Sequence, residues 1–293
     1  LAERLPHSVF LGGSSWSYPG WAGHVWAKPY AEARLARKGL AAYGKHPLLR
    51  AVGIDRTHYR SLASHEFAQF ATQVPEPFRF VVKAHEDLTL WRFPDRERYG
   101  ARRGQGNPRF LDPELAFETV VGPARSGLGD KLGAILFEFA PQELGRPREF
   151  ARDLDAFLAA LPTDVTYAIE LRNRELLTAD YSAVLASRDV CHVFNVHPRM
   201  PDLPSQRRVV APGPRTIVRW LVARGMTYEE TGTRFAPFDR FHREDANERS
   251  RIAELLTEAV TAGREGIATI NNNAEGCAPL SIAALATSLV AAQ

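Results

Sequence analysis

Three acids and three bases stand at or just past the ends of short apolar runs: Asp55, Glu138 and Glu170 against Lys83, Arg172 and Arg219. Glu170 and Arg172 are two residues apart, so an extended strand puts both side chains on one face. There they read equally well as a catalytic acid with its anchor or as an ion pair closing a core, because buried charges need partners whatever their function. Glu138 shares a face with Leu136 by the same alternation. Carboxylates on successive strands can divide into acid and base where their surroundings push their pKa values apart. Asp55, Glu138 and Glu170 are therefore the catalytic candidates, with hydrolase or lyase chemistry in view. Glycoside hydrolysis in particular needs two carboxyl groups at a set separation, and the seventh apolar run ends in Arg219 instead.

Lys83, Arg172 and Arg219 come from three different runs and would converge if those runs were neighbours. Three converging cations suit a phosphate or carboxylate, which accepts charge-assisted hydrogen bonds. Asn271 and Asn272 add neutral donors, and Trp16, Tyr18, Trp21 and Tyr59 offer flat apolar walls for a ring. The competing reading pairs each cation with an acid and makes the aromatics caps of a core. Asp55, Glu138, Glu170 and His197 are residue types that ligate divalent metals, but no HxH or HExxH spacing supports a metal site, and no cofactor is indicated. The expected partner is a small anionic or sugar-like ligand. A nucleic-acid reading is the alternative: the arginine-rich stretch from Trp91 to Arg109, with aromatic platforms, resembles a single-strand groove. Asp95 and Glu97 interrupt its charge, and no known nucleic-acid module is present.

The elements that would position these residues alternate from end to end. Eight apolar runs read as strands buried on both faces: Val9–Gly13, Leu49–Ile54, Phe78–Lys83, Gly133–Phe139, Thr166–Leu171, Cys191–Val196, Thr216–Trp220 and Gly266–Ile270. Amphipathic stretches lie between them. Phe150, Leu154, Phe157, Leu158 and Leu161 follow Pro147 at helical spacing. Asp245 and Glu248 sit at the positions of a capping box before Ile252, Leu255 and Leu256, and Ser64 is placed to cap a helix bearing Phe67 and Phe70. Such alternation builds either a closed barrel or an open doubly wound sheet. Gly12-Gly13-Ser14-Ser15-Trp16 does not fit the GxGxxG nucleotide fingerprint, so the expected fold is α/β, a single TIM-type (β/α)8 barrel spanning residues 1–293. In such barrels, side chains that do chemistry come from the carboxyl ends of the strands. Long loops follow strands three and seven. The first, Glu86 to Asp112, holds six arginines (Arg92, Arg96, Arg98, Arg102, Arg103 and Arg109) and is expected to be mobile or held by its own contacts; the second runs from Leu221 to Glu244.

Composition bounds the rest. The 293 residues carry a net charge of +3, which permits an acidic ligand without requiring one. Only five of 37 basic residues are lysine, a bias that a GC-rich genome explains as simply as function does. Cys191 and Cys277 stand alone, without zinc spacing or a disulfide framework, which fits a reducing cytoplasm. No apolar run is long enough for a membrane span, and no basic-then-apolar leader opens the chain, so the expectation is a cytoplasmic protein.

With the strands placed, their ends resemble those of the YecE-like family, domain of unknown function 72. Gly13-Ser14-Ser15-Trp16-Ser17-Tyr18-Pro19-Gly20-Trp21 is similar to its opening signature, and Ile54-Asp55-Arg56-Thr57-His58-Tyr59-Arg60 to its "INSTFYR" segment. Phe80-Val81-Val82-Lys83, Leu136-Phe137-Glu138-Phe139-Ala140-Pro141, Glu170-Leu171-Arg172 and Asn271-Asn272 with Gly276 and Ala278 match further segments in order. The resemblance covers Val9 to Leu289; it implies a TIM-type barrel and brings no established activity, cofactor or partner. Gly53, Asp55 and Glu138 depart from its usual Glu, Asn and Gln, and Arg219-Trp220-Leu221-Val222 stands for "R-F-H-G", so the mouth differs from the family pattern.

Overall fold

The computed structural model describes residues 1–142, 144 and 146–291. Eight parallel strands close on themselves in sequence order: β1 (Val9–Gly13), β2 (Ala51–Ile54), β3 (Arg79–Lys83), β4 (Leu132–Phe139), β5 (Tyr167–Leu171), β6 (Cys191–Val196), β7 (Arg215–Trp220) and β8 (Glu265–Ile270). All eight expected runs are strands; two match at both ends and six differ only in their first residue, by one or two positions.

Strand alternation sorts the side chains into two populations. One set, including Phe10, Ala51, Val81, Leu136, Ala168, Val193, Ile217 and Ile267, fills the barrel interior as its own cluster. The alternate residues, among them Ile169 and Val218, join the larger core beneath the surrounding helices. An apolar plug therefore separates the two ends of the barrel, as expected of a packed barrel rather than a pore. At the amino-terminal end Glu265 accepts from Arg79 (2.5 and 3.1 Å) and from Arg215 (2.7 Å). The carboxyl-terminal end carries the charged residues described below.

The β1–β2 seam is joined by only two register pairs, Gly12 with Ala51 and Gly13 with Val52. The buried Tyr43 hydroxyl bridges it: it accepts from Gly13 N (2.7 Å) and donates to Ala51 O (2.7 Å). A side chain on Gly12 would drive its Cβ to 1.7 Å from Ala51 O, so only glycine permits this approach.

Two capping expectations need correction. The helix Ser64–Ala71 begins at Ser64 itself, and Ala63 precedes it; Glu66 folds back to accept from Ala63 N at 3.0 Å. Asp245 does cap the helix Ala246–Thr261, accepting from Glu248 N at 2.9 Å. Glu248 does not complete the box, because its carboxylate is taken by Arg224, while Asp245 N donates to Glu275 at 2.6 Å.

The segment after β3 is held by its own contacts. Leu90, Phe93 and Tyr99 form a separate small core, a bridge pairs Arg92 with Gly106, and Asn107 donates to Asp87 O and Leu90 O (both 2.7 Å). Four of its six arginines face acids: Arg98 with Glu86, Arg102 with Asp87, Arg103 with Asp95 and Arg109 with Asp112. The segment after β7 carries the helix Tyr228–Phe235, whose Phe235 packs on Ala223 and Met226. Among the described residues no helix is long and apolar enough to cross a membrane.

Candidate functional site at the barrel mouth

Strand register explains why distant residues meet. Glu138 on β4 stands opposite Glu170 on β5, and Asn195 on β6 opposite Arg219 on β7, which in turn faces Thr269 on β8. Counting in twos from the apolar plug, Leu136 leads to Glu138, Ala168 to Glu170 and then Arg172, Ile217 to Arg219, Val81 to Lys83, and Ala51 past Gly53 to Asp55. Each therefore turns into the mouth.

The six charges form one network. Arg219 Nη1 donates to Glu138 (3.0 Å) and to Glu170, and its Nη2 lies 3.8 Å from Asp55. Arg172 spans the same carboxylates, with Nη2 2.6 Å from Glu138 and Nε 3.1 Å from Glu170. Lys83 Nζ is 3.0 Å from the other Glu138 oxygen. Three cations thus balance three acids. Two guanidinium groups holding two carboxylates is a rigid arrangement, since each fork fixes direction as well as distance.

The network has an inner and an outer tier. Glu170, Glu138 and Arg219 are 0%, 5% and 4% exposed. Lys83 and Arg172 are partly open, and Asp55, with 41% of its side chain exposed, is the only acid of the three that faces solvent freely. Burial alone would raise the Glu138 carboxyl, but Arg172, Lys83 and Arg219 outweigh it and hold the group well below the usual carboxylate range. Burial likewise opposes the charges on Arg172 and Arg219, and their carboxylate partners reverse that effect, raising both.

Around the network sit groups with unspent hydrogen-bonding capacity. Asn195 donates to Leu171 O at 2.8 Å, while its Oδ1 and the hydroxyls of Thr269 and Ser14 are buried without a partner among the described residues. Buried polar atoms of this kind mark places for water or ligand. Burial, and then the Asp55 charge, pushes the Tyr18 phenol up to about 12. Tyr228 is 37% exposed, yet desolvation of its phenol where it meets the mouth still raises it against the pull of Arg172 and Arg219. Burial also lowers His58 and His197 to about 4, helped by Lys83 and Arg172 respectively, so both imidazoles are neutral at physiological pH.

The expected walls and donors are only partly where the sequence put them. Tyr18 reaches the mouth. Trp16 and Trp21 do not: they are 2% and 1% exposed, Trp16 packed on Phe70 beneath Arg56 and Trp21 between Tyr18, Trp26 and Tyr43. Asn272 Oδ1 accepts from Trp21 Nε1 and Ala278 N, both at 2.9 Å, while its Nδ2 is buried without a partner among the described residues. Asn271 Oδ1 accepts from Asn273 N at 3.0 Å. Tyr59 is 65% exposed, packs edge-on against His58 and lies under Arg98. The ring of Tyr228, which sequence reasoning missed, approaches His197 at 6.3 Å. The signal was present: Thr227 and Glu230 form a capping box that starts a helix at Tyr228, inside a segment read only as a loop. Among the described residues no group of three or more His, Cys, Asp or Glu is placed to hold a metal ion.

Comparison with known proteins agrees with the fold. Among the solved structures similar to this chain are a DUF72 family protein from Enterococcus faecalis V583 (19% identity, 96% of this chain and 95% of that one covered, TM-score 0.65) and one from Thermotoga maritima MSB8 (18%, 97% and 100%, TM-score 0.64). No curated protein matches. The family described as "Protein of unknown function DUF72" matches residues 10–293, and this chain, with its closed eight-stranded barrel, belongs to that family.

Proposed function

We propose that the barrel mouth binds a small anionic or sugar-like ligand, with Lys83 and Arg172 as the donors that reach it. The observation that carries this reading is the two-tier charge network. Its inner tier is fully paired and fixes the outer tier, whose members remain partly open. Arg219 acts through others: it holds Glu138 and Glu170, which in turn hold Arg172 and Lys83. Because the six charges sum to zero, the network suits hydroxyl groups or a single anionic group better than a polyphosphate. Tyr18 supplies an apolar edge with a polar tip, a combination that fits a ring bearing hydroxyls.

Hydrolase or lyase chemistry on that ligand would fall to Asp55, the acid with access to it. Glu138, held ionised by three cations, has no proton to give at neutral pH and serves to position. The nucleic-acid alternative finds less support, because four of six arginines in the segment after β3 already face acids.

A panel of neutral sugars, sugar phosphates and simple carboxylates, followed by thermal unfolding, tests the reading. A ligand at a hundred times its Kd adds about 2.7 kcal/mol, a rise of about 4 °C for a chain of this size. Lys83→Met, weakening binding roughly ten- to a hundredfold, should cut the rise by about half or more. A panel without a single stabilising compound, or a rise untouched by that substitution, would refute it.

A further inference from the structure

We propose that the crevice between the loops following β5 and β6 is an anion anchor for the mouth ligand, taking a phosphate monoester or carboxylate on Arg172, Arg174 and Arg199. This deepens the function proposed above and rests on it. The crevice is a cavity of about 390 Å³ bounded by residues 172–175 and 198–201, room for one phosphate or carboxylate with part of the ligand behind it.

Three observations support the assignment. Arg172 belongs to both sites: its Nη2 and Nε are spent on Glu138 and Glu170, and its Nη1 has no hydrogen-bond partner among the described residues. An anion arriving from the crevice would meet a guanidinium already fixed in direction, so little side-chain entropy is lost on binding. Arg174 and Arg199, contributed by different loops, make no ion pair among the described residues, unlike the arginines of the segment after β3. The one acid in the lining, Glu175, accepts a hydrogen bond from Asn173, whose amide also donates to Gln142 O at 2.8 Å. With the Arg172 charge already balanced in the network, the crevice adds two cations, Arg174 and Arg199, against Glu175, a net excess of one positive charge beside a neutral network. A ligand with a charged end and a neutral, hydroxyl-bearing body would match this division, charge in the crevice and hydroxyls towards Lys83 and Asp55.

The test compares wild type, Arg174→Ala/Arg199→Ala and Lys83→Met by calorimetric titration with inorganic phosphate, a hexose 6-phosphate and the neutral hexose. Both arginines are exposed, so the double variant should unfold at the wild-type temperature. Each lost charge-assisted bond weakens binding roughly tenfold or more. The expected result is that the double variant loses at least that much affinity for inorganic phosphate and the hexose phosphate while its response to neutral hexose is unchanged. Should the double variant bind hexose phosphate like wild type while Lys83→Met does not, the anchor is refuted and the mouth reading stands. Failure of wild type to bind inorganic phosphate at millimolar concentration also refutes the anchor, leaving neutral-hexose binding to judge the mouth alone.

Discussion

Replacing Arg219 by methionine should show how much the mouth depends on one guanidinium. Arg219 is buried and contacts Glu138 at 3.0 Å and Glu170 directly, so its loss leaves the network with two cations against three acids. Removing one member of a buried ion pair costs about 3–5 kcal/mol, chiefly because the partner's charge stays buried without compensation. Unfolding entropy of about 2.1 cal/mol/K per residue gives about 0.6 kcal/mol/K over 293 residues, so Tm should fall by about 5–8 °C. The deficit should narrow as pH is lowered from 7 towards 5. An uncompensated buried carboxylate has a folded-state pKa above its unfolded one, so it destabilises most when ionised and least once protonated. Calorimetric or circular-dichroism melting of the variant at both pH values measures this. Glu170→Gln in the same chain restores the balance and should recover about 1.5 kcal/mol or more relative to additivity. A deficit under about 1 kcal/mol, one that does not change with pH, or strict additivity of the two substitutions would refute the view that the network is tightly coupled.

Other consequences follow from the same geometry. Tyr43→Phe removes the hydroxyl between Gly13 N and Ala51 O and should cost about 1–3 kcal/mol, read as a lower Tm with faster amide exchange at Gly13. His58 and His197, lowered to about 4, contribute stability that is complete above about 6.5 and is lost as pH falls towards 4; NMR titration should find neither imidazole protonated at pH 6. Trypsin should cut the segment after β3 first at its exposed Arg102–Arg103 tip, and Phe93→Ala, which opens the Leu90–Phe93–Tyr99 core, should accelerate that cut.

The barrel was legible because its signals are local and repeated. Each strand announces itself as a short apolar run, and alternation from Ala168 through Glu170 to Arg172 already states which side chains share a face. Convergence of Asp55, Lys83, Glu138, Glu170, Arg172 and Arg219 follows from closure of the sheet. What the sequence left open was how charge divides among them: cations free for a ligand and cations paired with acids look identical as strings. Depth was also hidden. Trp16 and Trp21 stand among strand-end residues, yet the turn after β1 tucks both inward, and the Asn272 oxygen is taken by Trp21 Nε1 and Ala278 N. Caps misled where long-range partners competed, as when Arg224 draws Glu248 away from its helix start. Tyr228 was missed because the capping signal of its short helix lay inside a segment dismissed as a loop.

Titrating a hexose phosphate into wild type and Lys83→Met by calorimetry tests the mouth most directly. Binding at the mouth predicts a single site in wild type, weakened roughly ten- to a hundredfold by the substitution, with the fold retained. Equal affinity in the two proteins would place the ligand elsewhere and contradict the reading of the charged layer as its site.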